Sequence, residues 1–253
     1  MDAAKRLPPP VRVLNEGGSS PYVLLCEHAS RFMPEDCNGL GLGAADLSRH
    51  IAWDIGAADV AQSLSQALDA PLVMAGYSRL LIDLNRPVES PTSIPEMSET
   101  TAIPGNIGLT ADERARRVAL YFEPYQAAVH RLLAAREAAG QATTIVGIHS
   151  FTPVFKGVAR PWRAGILYRK SRGFGHALAE ALGGAAQAIA ENEPYQIEDD
   201  SDYTVPVHGE ARGHDAVLVE IRQDLIADPA GAATWSSRLA TALASCADPV
   251  PGR

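Results

Sequence analysis

Residues 23–30 read VLLCEHAS, an apolar and thiol-bearing run that ends abruptly in a glutamate and a histidine. Val23, Leu24, Leu25 and Cys26 are too few and too β-prone for a helix, and read as a strand buried on both faces. Such a strand belongs in a sheet covered by helices on both sides. Glu27 and His28 are costly to bury unpaired, so this end either faces water or carries a site. In open α/β sheets, ligands gather just outside the carboxyl ends of the strands.

Working outward, residues 1–20 form a Pro- and Gly-punctuated lead-in with a short edge strand at 11–14. The segment 54–70 has Ile55, Val60, Leu64 and Leu68 on one helical face, with Asp54 placed to cap it. PLVMAGYS (71–78) and RLLIDLN (79–85) are the next strand candidates, followed by a Pro/Ser/Thr-rich loop over 87–108. Thr110 and Glu113 make a capping box that opens a helix over about 110–139. Strands are expected at TTIVGIHS (143–150), RAGILYR (163–169) and DAVLVEIRQDLI (215–226), with helices over 173–190 and 230–245. This alternation predicts a three-layer α/β/α domain spanning 1–253, its sheet mixed but largely parallel.

The 253 residues carry a net charge of −8, which argues against a nucleic-acid groove or an anionic membrane surface. No stretch approaches the ~18 apolar residues of a membrane span, and the first twenty residues lack the apolar core of a signal peptide. Cys26, Cys37 and Cys246 form no CxxC pair, so neither a disulfide framework nor a thiolate zinc knuckle is expected, and a reducing cytoplasm fits. The GLGLG at 39–43 lacks the spacing and the preceding strand of a dinucleotide fingerprint.

Three further apolar runs end as the first one does. One carries His149 and Ser150, one Glu220, Arg222 and Asp224, and one Asp83, Asn85 and Arg86. Each tip alone has a bland reading as a turn, a surface ion pair or a hydrogen-bonded histidine. If the strands are adjacent and parallel, the tips converge. Two histidines with carboxylates then make a zinc site, and arginines grip an anionic substrate.

The stretches CEHAS (26–30), WDIGA (53–57), SRLLIDLNRP (78–87), GIHSFTP (147–153) and VEIRQDL (219–225) resemble, in this order, the N-formylglutamate amidohydrolase family. The DLNR and the separated histidines are also similar to aspartoacylase and succinylglutamate desuccinylase, relatives of the zinc carboxypeptidases. The resemblance implies one divalent ion, zinc, and cleavage of a small N-acyl group, formyl above all, from an acidic amino acid. It implies His28 and His149 as ligands. The carboxypeptidase pattern places a glutamate three residues after the first histidine, where this chain has Arg31. Asp54 is therefore the chosen third ligand and Glu27 the fallback. By the same resemblance Glu220 is the general base, Arg79 a clamp or oxyanion stabiliser, and Asn85 and Arg86 the carboxylate clamp. Arg222 is a further substrate contact, Ser150 supports the site, and His208 and His214 in VPVHGEARGHDA are candidate pocket residues. Ser150 sits in no G-x-S-x-G elbow, so it is not read as a nucleophile. The expected partner is a small anionic N-acyl amino acid. The alternatives are a deacylase or carboxypeptidase-like hydrolase of another N-acyl or peptide substrate, and a non-catalytic binder of acidic metabolites.

Overall fold

The computed structural model describes residues 7–247. Strand β2 (Tyr22–Cys26) is buried along its whole length, Leu24 and Cys26 facing one core and Val23 and Leu25 the other. Its neighbours are β3 (Leu72–Ala75) and β4 (Thr144–Phe151), both parallel to it. β7 (Asp215–Arg222) extends this parallel block beyond β4. Outside it, β1 (Val11–Leu14) pairs antiparallel with β3, and β5 (Ala164–Leu167) antiparallel with β7. β6 (Ile189–Glu191) runs parallel to β5 at the far edge. The order is β1-β3-β2-β4-β7-β5-β6, a mixed, mainly parallel sheet.

Helices α1 (Ala57–Leu68), α4 (Arg172–Ala181) and α5 (Pro229–Ala247) cover one face, where Val60, Leu64, Leu178, Trp235 and Leu239 meet Val146, Ile148, Val217 and Val219. On the other face, α2 (Ala111–Arg117) leads through a wide turn at 118–122 into α3 (Glu123–Ala138). From α3, Tyr125, Val129, Leu132 and Leu133 pack into the second core. The result is three layers, α/β/α. Among the described residues no helix is long and apolar enough to cross a membrane.

Three local expectations are corrected. RLLIDLN is a chain of tight turns, with Leu81 N bonded to Ser78 O and Arg86 N to Asp83 O. Its Leu80, Leu81, Ile82 and Leu84 plug the second core, a burial that an apolar run satisfies without being a strand. The helix expected from 54 begins at Ala57, and its N-cap is Gly56 rather than Asp54. Gly56 has φ 79°, and a Cβ there would stand 2.1 Å from the Ile226 carbonyl, so only glycine makes this turn. The helix expected over 173–190 stops at Ala181, because Gly183 and Gly184 both take positive φ, and the chain re-emerges as edge strand β6. The helix expected over about 110–139 runs without a break from Ala111 to Ala138, widened at 118–122, and Thr110 accepts from Glu113 N as its cap.

The lead-in is tied to the corner between α1 and β3 by one carboxylate. Asp69 Oδ1 accepts from Asn15 Nδ2 at 2.9 Å, and Oδ2 accepts from Ser19 N at 2.9 Å and Ser19 Oγ at 2.7 Å. These donors, Asn15 foremost, hold the carboxyl down at about 2. A carboxyl held below its unfolded value of ~3.9 stabilises the fold above that pH and loses this effect as pH falls toward the folded value. Asp69→Asn is expected to lower the thermal midpoint near neutrality, with the gap to wild type narrowing between about pH 5 and pH 3. Melts that keep a constant gap over that range would refute the role.

Candidate metal centre and active site

The parallel block sends the carboxyl ends of β3, β2, β4 and β7 to one edge of the sheet. On β4 and β7, the rows Ile145–Gly147–His149 and Ala216–Leu218–Glu220 share a face by strand alternation. Glu220 and His149 are register partners. Gly147 makes room: a Cβ there would stand 2.4 Å from Leu218 Cδ2 and 3.5 Å from His149 Nε2. β2 ends at Cys26, freeing Glu27 and His28 from strand alternation, so both reach His149. The Asp54 amide donates to the His28 carbonyl at 3.0 Å, which fixes the chain before α1 against the end of β2.

His28, Asp54 and His149 meet in a buried triangle. His28 Nδ1 is 3.2 Å from Asp54 Oδ2, His149 Nδ1 is 3.0 Å from the same oxygen, and the two Nδ1 atoms are 3.2 Å apart. Donors held ~2.1 Å from a tetrahedral ion stand roughly 3.4 Å from one another, so the triangle fits a cation with little adjustment. The other ring nitrogens point at carboxylates. His28 Nε2 is 2.8 Å from Asp83 Oδ1, and His149 Nε2 is 3.0 Å from Glu27 Oε2, out of line for a hydrogen bond. Thr204 Oγ1 donates to the second oxygen of Glu27. A carboxylate behind each ligating histidine fixes its ring and raises its basicity. Glu27, the fallback ligand, thus stands behind His149 rather than at the triangle.

Charge balance makes the same point. Glu27, Asp54 and Asp83 are buried, and among the described residues Arg79 is the arginine or lysine paired with any of them, through Asp54 and Asp83. Its Nε and Nη2 hold Asp83 Oδ2 at 3.0 and 2.5 Å, and Nη1 lies 3.4 Å from Asp54 Oδ1. Two negative charges stay unbalanced while both imidazoles are neutral. Burial opposes protonation of each imidazole, and Arg79 also opposes it at His28. The carboxylates outweigh these effects and hold both rings above the ordinary histidine range. The cluster therefore calls for two positive charges, as two protons or as one divalent ion on two neutral rings. Its donor set and its charge both fit the ion.

A cavity of about 350 Å³ opens over the triangle. Glu220 lines it, is buried, and has an Oε2 with no hydrogen-bond partner among the described residues. Burial, helped by the Asp54 charge and opposed by His149, pushes its carboxyl up to about 7. A dication beside it would draw that value down. Ser150 also borders the cavity, but its Oγ donates to Ile55 O at 2.9 Å and its amide to Asp54 Oδ2 at 3.2 Å, so it positions Asp54.

Asn85 and Arg86 line the cavity too. Asn85 is already engaged: its Oδ1 accepts from the Tyr203 and Thr204 amides and its Nδ2 donates to Asp202 Oδ1 at 3.3 Å. It pins the 202–204 segment that carries the hydroxyl on Glu27. Arg86 Nη1 is 3.6 Å from Asp202 Oδ1 and a quarter of the side chain is exposed. Three expected contacts lie outside the cavity lining. Arg222 turns to Asp224, with Nε–Oδ1 at 2.8 Å, because β7 ends there and the next turn brings that carboxylate round. His208 is buried against Gln126 at 2.6 Å, and burial lowers it to about 4, so it stays neutral. His214 pairs with Glu137.

The 87–108 loop is held in place. Buried Arg117 donates to Leu81 O, Asn106 Oδ1 and Gly105 O, and Asn106 Nδ2 donates to Leu80 O and Pro95 O. This brings Thr92, Pro95, Met97, Ser98 and Glu99 to the cavity. The roles of Asp83 and Thr204 behind the histidines, and the presence of Asp202 and Tyr195 in the lining, were not expected from sequence. Asp83 had a signal in its place at the head of DLNR, whereas Asp202 in EDDSD looks like a solvated acidic run.

Fold and site together define a three-layer α/β/α protein with a buried His–Asp–His group able to hold a metal. The N-formylglutamate amidohydrolase family matches over residues 20–227, and the chain belongs to that family, which indicates an amidohydrolase. A gene product of Agrobacterium tumefaciens is 38% identical, with a TM-score of 0.90 over 95% of this chain and 97% of its own. An N-formylglutamate amidohydrolase from Ralstonia eutropha shares the fold at 19% identity, with a TM-score of 0.66 over 94% of this chain and 97% of its own. No curated protein matches the chain.

Glu27→Gln keeps the size of the side chain and the Thr204 contact but removes the charge behind His149. With zinc added, it is expected to bind at the wild-type stoichiometry with affinity lower by about 10- to 100-fold, read by chelator competition. Loss of binding even at saturating zinc would instead make Glu27 a ligand.

Proposed function

We propose that the protein is a metal-dependent amidohydrolase that removes a small acyl group, formyl in the first instance, from the nitrogen of an acidic amino acid such as glutamate. The observation that carries this reading is that Glu220, register partner of His149, lines the same cavity as the His28–Asp54–His149 triangle, in a chain of this family. His28 Nδ1, Asp54 Oδ2 and His149 Nδ1 would hold the ion, and zinc suits two imidazoles and a carboxylate with a fourth position open. When bound, it supplies Lewis acidity to the acyl carbonyl and brings the pKa of water to ~7.

The remaining work falls to the chain. Glu220 accepts a proton from the attacking water and returns it to the departing nitrogen, so that amide and water become a carboxylate and a free amine. Its burial raises its affinity for that proton above that of a solvated carboxylate. Arg79 holds Asp54 and Asp83 in place and puts positive potential at the cavity wall where the carbonyl oxygen gains charge. Arg86 takes the substrate's α-carboxylate. Arg86 Nη1 lies 3.6 Å from Asp202 Oδ1, beyond hydrogen-bond distance, which leaves guanidinium N–H groups for the substrate anion. A cytoplasmic setting agrees with three free thiols.

Two variants test the reading. Protein purified without added metal or chelator is expected to carry about one zinc per chain in wild type and Glu220→Gln, and far less in His149→Ala. On N-formylglutamate, Glu220→Gln is expected to lower kcat by about 10²- to 10⁴-fold while keeping its metal. A wild type that neither contains nor takes up a divalent ion would sink the mechanism. A Glu220→Gln protein with wild-type kcat would remove Glu220 from it.

A further inference from the structure

The cations around the cavity differ in what already holds them. Arg79 is shared between Asp54 and Asp83, Arg222 is bound to Asp224, and Arg86 faces Asp202. Arg160 makes no ion pair among the described residues. It follows the short hairpin of Val154–Phe155 and Val158–Ala159, and aromatic rings hold its guanidinium. The guanidinium carbon lies 4.6 Å from the Phe155 ring centre, 4.8 Å from that of Tyr195 and 5.7 Å from that of Phe151. Nη1 donates to the Tyr195 hydroxyl at 2.9 Å.

Arg160 is not itself in the cavity lining, but it is held beside the cavity by rings that are. Phe155 and Tyr195 line it. Phe151 is two residues beyond His149 on β4, hence on the same face and ~7 Å farther along the strand. That offset is about the reach of a glutamate side chain. The Tyr195 oxygen accepts from Arg160, and no described residue accepts its proton, so the O–H remains free to donate. Burial and the Glu220 charge push this hydroxyl up, which keeps it protonated. A guanidinium already ordered by stacking loses little freedom on binding, and its planar fork matches a carboxylate.

We propose that Arg160, together with the Tyr195 hydroxyl, grips the side-chain carboxylate of an N-acyl acidic amino acid and so selects acidic over neutral substrates. The assignment rests on the amidohydrolase reading above. Arg160 is a specificity residue here, remote from bond cleavage.

The test compares N-formylglutamate with N-formylglutamine, which differ only at the distal group. Arg160→Ala is expected to lower kcat/KM for N-formylglutamate by about tenfold or more, mainly through KM, the scale of one hydrogen-bonded charge. N-formylglutamine should change by less than about twofold, and its turnover also reports that the variant is folded. Arg160→Lys should keep part of the preference, and Tyr195→Phe should lose part of it. Equal losses on both substrates, or a wild type that does not prefer the acid, would overturn the Arg160 assignment and leave the amidohydrolase reading intact. A zinc-loaded wild type that hydrolyses neither compound would overturn both.

Discussion

An excess of buried negative charge at the carboxyl edge of the sheet is the constraint on which the rest of the structure depends. Glu27, Asp54 and Asp83 cannot be withdrawn from water beside a lone guanidinium unless something positive joins them. Two protonated imidazoles satisfy that need at a cost of their own, since each is buried. A divalent ion satisfies it with neutral rings and releases protons as it binds. Ligands, the carboxylates behind them and Arg79 therefore form one electrostatic unit, and removing any single charge leaves the others less balanced.

The fold meets this constraint with rigid parts. β2, β4 and β7 are buried on both faces, so their ends are fixed by packing against α1 and α5 on one side and α3 on the other. His149 and Glu220 inherit that rigidity through strand register. Asp54 sits in a turn, yet Gly56 against Ile226, the His28 carbonyl and the Ser150 amide hold it from three directions. Loops supply the outer wall. Even there Arg117 and Asn106 anchor the 87–108 segment from beneath, so that its cavity-facing side chains have a fixed base.

How much of this was legible in sequence follows from what each signal measures. Strands buried on both faces announce themselves as short apolar runs, which is why 22–26, 144–151 and 215–222 could be read along with the layered architecture they imply. The same signal misled at RLLIDLN, where burial comes from plugging a core. It also said nothing of the glycines that end α4 early. In the site, a polar residue at the tip of a buried strand marks a position, and His28, His149 and Glu220 all had that mark. The partner each side chain meets depends on how distant segments fold back. Sequence therefore left Glu27 as a possible ligand and Asp83 without a role, and did not anticipate the turn that gives Asp224 to Arg222 or the cleft that gives Gln126 to His208.

The overall charge of −8 repels a small anion at a distance. Recognition of an anionic substrate must then come from short-range contacts inside the cavity, where low dielectric and scarce water strengthen each charge and salt screens it little. Arg79 contributes mainly by organising carboxylates, since its guanidinium is already occupied. Arg86 offers a cation whose present partner, Asp202, stands 3.6 Å away, beyond hydrogen-bond distance. Arg160 offers one with no acid to displace, already ordered by the rings around it. A substrate with two separated carboxylates would engage both, and the distance between them, more than the strength of either, would set which acidic amino acid fits.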